Sequence, residues 1–141
     1  MFPSTHLIVS LILAAILFPF VGINSLIIIV GGVLIDLDHV IYYWIRFKDI
    51  NLKNAYNYCK NIAQTEEFKK KKKVFMLFHS VEFIAIIIIL SFYYTFLWML
   101  VVGIIVHLIM DIIYELSTFK TMVKSLSLIA YLKHVKKQNK K

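Results

Sequence analysis

The chain has 141 residues, a length suited to one domain. Hydrophobic residues make up 60% of it and the mean hydropathy is +0.78, which excludes an ordinary water-soluble globule. The formal net charge of +8 is segregated: nine of the 16 Lys/Arg lie in residues 46–73, the other seven lie in residues 120–141, and none occurs elsewhere.

That distribution predicts an all-α, multi-pass membrane protein, with both basic segments and both termini cytoplasmic. No aromatic-and-basic readout motif accompanies the basic segments, so nucleic acid is not an expected partner. The expected partners are membrane lipid and, at the lysines, anionic headgroups. Cys59 is the only cysteine, which excludes an intrachain disulfide and a CxxC zinc ribbon.

In chain order, residues 3–5 suit a helix start, and a first span is expected over residues 6–20, ended by Pro19 and Gly22. It lacks the basic n-region of a signal peptide and is expected to be retained. A second span is expected over residues 25–45, closed by the aromatic trio Tyr42, Tyr43 and Trp44. Residues 46–73 form a basic loop in which residues 54–68 read as a surface helix. A third span is expected over residues 74–92 and a fourth over residues 97–116. Beyond Lys120, apolar residues from Met122 to Ala130 recur at helical spacing between lysines, the pattern of an amphipathic interfacial helix with a frayed tail from Lys133. The expected organisation is a four-transmembrane-helix bundle over residues 1–120 and a C-terminal appendage over residues 121–141.

Polar residues inside these spans are costly, by roughly 2.5–3.5 kcal/mol for a charge at the bilayer centre, and they usually carry function. They fall at similar depth on all four spans: His6; Asp36, Asp38 and His39; His79 and Glu82; His107, Asp111 and Glu115. His107 and Asp111 are spaced i,i+4, and His79 and Glu82 are spaced i,i+3, so each pair shares a helical face. Asp36 and His39 are about 60° apart on a regular helix, whereas Asp38 points roughly 160° away from Asp36. Either the second span is distorted after Gly31-Gly32, or Asp38 faces a separate partner such as Arg46 or His6. Repeated histidine–carboxylate pairs projecting into a bundle are the logic of a helical metal site. The expected ligands are His39, His79, His107, Asp36, Asp111 and His6. The ion is a divalent transition metal, Zn first, with Mn or Fe as alternatives. Gly32 and Gly103 each precede a candidate ligand by one turn, where a small residue allows helices to approach.

The set Asp36-Leu37-Asp38-His39, then His79-Ser80, then His107-x-x-x-Asp111, with His6 near the start, resembles the membrane-bound metal-dependent hydrolases, also called LexA-binding, inner-membrane-associated hydrolases. The resemblance spans residues 6–111. Ile35 stands where that family typically has Pro, and Val74-Phe75-Met76 stands in the region where many members carry His-Arg. The resemblance implies an inner-membrane location and a metal-dependent hydrolase. With it, Glu82 or Asp38 becomes the expected general base, acting on an amphiphilic ester or phosphoester at the cytoplasmic leaflet. A proton or metal-ion transporter, and a structural or regulatory protein stapled by its metal, remain alternatives at this level.

Overall fold

The computed structural model describes residues 3–61, 74–120 and 124–138. Among them the chain is all-helical apart from one two-residue strand pair. Two segments, Pro3–Phe47 and Leu97–Thr118, are long and apolar enough to cross a membrane.

The first of these is a hairpin. Helix α1 (Pro3–Val21) stops where Gly22 adopts φ +59°, a conformation glycine enters without the Cβ penalty. A short 3-10 stretch, Gly22–Leu26, turns the chain into α2 (Ile27–Val33). The small face of α1, with His6, Ser10 and Ala14 one turn apart and all buried, packs against α2. A Cβ on Gly32 would collide with the Ser10 hydroxyl.

The second span is not one regular helix. After α2 the chain tightens into a 3-10 turn, Leu34–Asp36, before continuing as α3 (Leu37–Phe47). The distortion after Gly31-Gly32 that Asp38 called for is therefore present. Lys48 ends α3 in the left-handed conformation, its N–H bonded to Trp44 O at 2.9 Å. Tyr43 is not part of an outward aromatic belt. It is buried against Phe47 and Tyr58, and its hydroxyl donates to Asp49 at 2.8 Å. The Asp49 carboxyl is held below its ordinary value by the Asn54 amide, with the Asn51 N–H and the Tyr43 hydroxyl adding to it. Asn51 then caps α4 (Leu52–Lys60), its side chain accepting from Lys53 N at 2.9 Å. The surface helix expected at 54–68 thus begins earlier, and residues 62–68 of that expectation lie outside the described residues.

The third span also differs from expectation. Helix α5 covers only Val81–Ser91, about 16 Å at 1.5 Å per residue, short of a hydrocarbon core of about 30 Å. Ser80 stops it from extending backwards: its hydroxyl accepts from Phe83 N at 3.2 Å and donates to Leu77 O at 2.7 Å. His79 therefore sits in a non-helical segment just ahead of α5. The following helix, α6 (Leu97–Phe119), is longer than expected and buries one continuous stripe, Ile104, His107, Asp111 and Glu115.

Helix α6 crosses α2 at backbone contact. A Cβ on Gly31 would meet Leu100 O at 2.5 Å, and one on Gly103 would collide with Ile28 O. This crossing sets Asp36 on the α2 side level with His107 and Asp111.

After α6, β2 (Lys124–Ser125) pairs in parallel with β1 (Val74–Phe75), and α7 (Leu128–Gln138) follows. The terminal helix starts later than expected, and residues 133–138 are helical rather than frayed. Its start is fixed by Glu82, whose Oε1 accepts from the Ser127 hydroxyl at 2.7 Å and from Leu128 N at 3.1 Å. A carboxylate at a helix N-terminus satisfies orphan donors and opposes the helix dipole. The strand pair also places the chain that follows the lysine run beside the chain that follows α6.

Burial is inverted relative to a water-soluble protein. Ile12, Ile16, Ile86, Ile89, Ile109 and Ile113 are exposed, while His6, Ser10, His79, His107, Asp111 and Glu115 are buried.

Candidate metal centre

Six of the expected site residues converge. The 3-10 turn ends on Asp36, and the first turn of α3 presents His39. The segment before α5 brings in His79. Helix α1 contributes His6, and α6 contributes His107 and Asp111. They form two overlapping groups, His6–Asp36–His107–Asp111 and Asp36–His39–His79–Asp111, each with one ligand atom per residue within 4.8 Å of the others.

The pairwise distances define the centre. His107 Nε2 lies 3.4 Å from both Asp36 Oδ1 and Asp111 Oδ2. His79 Nε2 lies 3.5 Å from Asp111 Oδ2 and 4.0 Å from Asp36 Oδ1. His39 Nε2 lies 3.5 Å from Asp36 Oδ1. His6 approaches from the other side, 3.3 Å from Asp111 Oδ1 and 4.0 Å from Asp36 Oδ2, with its ring stacked on His107 at 3.9 Å. Charge-assisted N–H···O bonds run shorter, about 2.7–2.9 Å. Two ligands of a tetrahedral ion, each about 2.0–2.1 Å from the metal, lie about 3.3–3.4 Å apart. The spacings of 3.3–3.5 Å match the second geometry, and the two to Asp36 at 4.0 Å are longer.

Tautomers point the same way. His107 Nδ1 is 2.8 Å from Gly32 O, and a carbonyl can only accept, so the proton is on Nδ1. His79 Nδ1 is 3.2 Å from Asp38 Oδ2, which also accepts from Phe78 N. A neutral His79 therefore carries its proton on Nδ1 as well. With both rings neutral, the two Nε2 atoms face each other with lone pairs at 3.2 Å. A cation between them removes that repulsion. Neither ring nitrogen of His6, 1% exposed, has a hydrogen-bond partner among the described residues. The donor set of imidazoles and carboxylates fits a divalent transition metal.

Two of the expected residues stand apart from the ligand groups. Asp38, which the sequence assigns a partner such as Arg46 or His6 only if the span is regular, and which is one of two candidate bases, stands behind His79 and fixes that ring, the carboxylate–histidine arrangement typical of metal ligands. Glu82, the other expected base, belongs to neither group and holds the start of α7 instead. The reason is the unwound segment before α5, which separates Glu82 from the face that His79 presents. Glu115 is buried one turn beyond Asp111, outside both groups. Ser80 serves as the cap of α5. The Gly32 carbonyl was not anticipated as a partner of His107; its signal was the glycine one turn before Asp36. No protein-family model, curated protein or solved structure matches this chain, so its functional reading rests on this geometry and on the resemblance of its motifs.

Proposed function

We propose that this chain is a membrane-embedded, metal-dependent hydrolase of a lipid-borne or similarly amphiphilic ester or phosphoester. The observation that carries the reading is a buried histidine–aspartate cluster inside a body whose outward faces are apolar. The apolar exterior suits lipid, and the polar interior is the reverse of a soluble core. In this reading α1, α2 with α3, and α6 each cross the bilayer, and α5 crosses together with the non-helical residues 74–80. Irregular backbone at that depth is tolerated where its polar groups are satisfied inside the protein. Here Phe78 N bonds to Asp38, Ser80 N to Leu77 O at 3.1 Å and Val81 N to Leu126 O at 2.8 Å. The end at which the β1–β2 pair lies, next to both basic segments in sequence, is the cytoplasmic one by the charge rule, and the membrane is the inner one by the motif resemblance.

A divalent ion held in the cluster would bring the pKa of water toward ~7 and polarise the scissile group. The residues do the rest. The Gly32 carbonyl and Asp38 each fix a ring so that His107 and His79 present Nε2 inward. Asp36 and Asp111 supply charge from opposite helices. The lysines of the basic segments raise the local concentration of anionic headgroups, at ~1 kcal/mol per residue near the surface.

The experiment is a hydrolysis screen of purified, metal-loaded protein in nanodiscs against phospholipids, lipid phosphates and acyl esters. Turnover that vanishes in Asp36→Asn and survives in Glu82→Gln is expected. No turnover across the panel, or turnover that persists in Asp36→Asn, overturns the reading.

A further inference from the structure

The geometry points to two cations rather than one, bridged by Asp36 and Asp111. This rests on the metal-binding reading above and goes beyond it in number and ligand assignment. The carboxylates divide their oxygens. Asp36 Oδ1 and Asp111 Oδ2 face His39, His79 and His107, at 3.4–4.0 Å. The opposite oxygens, Asp36 Oδ2 and Asp111 Oδ1, face His6, at 4.0 and 3.3 Å. A carboxylate that bridges two ions offers one oxygen to each, which is the division these distances show. His6 supplies an independent observation: it is 1% exposed, aimed at that second pair of oxygens, and both its ring nitrogens lack a hydrogen bond among the described residues.

Charge balance agrees. Three carboxylates, Asp36, Asp38 and Asp111, meet at this point of the bundle, and no Lys or Arg occurs in residues 3–45 or 74–119. Uncompensated buried carboxylates are strongly disfavoured. With neutral imidazoles, one divalent ion leaves these three carboxylates at a net −1, and two offset their charge. His39 and His79 with Asp36 and Asp111 make one site, and His6 with the opposite carboxylate oxygens makes the other. The His107 ring, stacked on His6, lies within reach of both.

The test uses the full chain in detergent, stripped with chelator and titrated with Zn²⁺, with bound metal counted by elemental analysis. Mn²⁺-loaded protein is read in parallel by electron paramagnetic resonance. Two ions per chain and an exchange-coupled Mn²⁺ pair are expected. His6→Ala and His39→Ala should each retain one ion and show an uncoupled six-line spectrum. If one variant fails to fold, the other and the wild-type spectrum still decide. One uncoupled ion in the wild type, or two ions without coupling, overturns the bridged pair and leaves the metal reading intact. No bound ion overturns both. Retention of two ions in His6→Ala removes that residue from the centre.

Discussion

Asp38→Asn is the sharpest perturbation of the site that spares every proposed ligand. Asp38 lies against the His79 ring; its Oδ2 accepts from His79 Nδ1 at 3.2 Å and from Phe78 N. The carboxylate holds the imidazole in one tautomer and raises the basicity of Nε2. The amide keeps the shape and can still accept one bond, but it loses the charge. Loss of such an outer partner typically costs 10–100-fold in metal affinity, about 1.4–2.7 kcal/mol. The assay is Zn²⁺ competition against a chromophoric chelator in detergent, with far-ultraviolet circular dichroism confirming helix content. A weakening in that range, with unchanged helicity, is expected. An affinity within twofold of wild type would refute the assignment of Asp38 as the group that positions His79.

Further expectations follow from other contacts. Gly103→Ala forces a methyl against Ile28 O and should cost about 1–3 kcal/mol in denaturant unfolding, weakening metal binding in the same protein because it parts α2 from α6. Ser127→Ala removes the hydroxyl that bonds Glu82 and accepts from Ala130 N at 3.3 Å, and should destabilise the start of α7 by about 1 kcal/mol; hydrogen exchange should rise in residues 128–131 while metal affinity stays unchanged. Asp49 has a lowered folded carboxyl value, so its contribution is full above its unfolded value of ~3.9 and disappears as pH falls through the folded one. Protection of the Asn51 backbone amide and of the Asn54 side-chain amide should fall over that acidic window in the wild type and lose the dependence in Asp49→Asn.

Much of the site was legible because its residues are expensive where they stand. His6, Asp36, His39, His79, His107 and Asp111 are polar residues in apolar surroundings, and the i,i+4 pair on α6 keeps the face that periodicity assigns it. What periodicity could not place were the residues where the helix itself changes. The 3-10 turn at Leu34–Asp36 alters the phase after α2, so the 160° separation of Asp36 and Asp38 could not be turned into a partner for Asp38. The apolar run that predicts a third span from residue 74 hides a stop at Ser80, whose hydroxyl competes for the backbone. That stop takes His79 off the helix and sends Glu82 to α7. The cap of α7 depends on a contact 45 residues distant along the chain, which no local pattern encodes.

In the proposed reading the convergent imidazoles and carboxylates hold a divalent metal, and X-ray absorption on the Zn²⁺-reconstituted chain decides it. A nitrogen/oxygen shell at about 2.0–2.2 Å with the outer-shell scattering of imidazole and no sulfur contribution is expected, reduced in imidazole content by His79→Ala. Zinc that washes out on desalting, or a shell without imidazole, would contradict it.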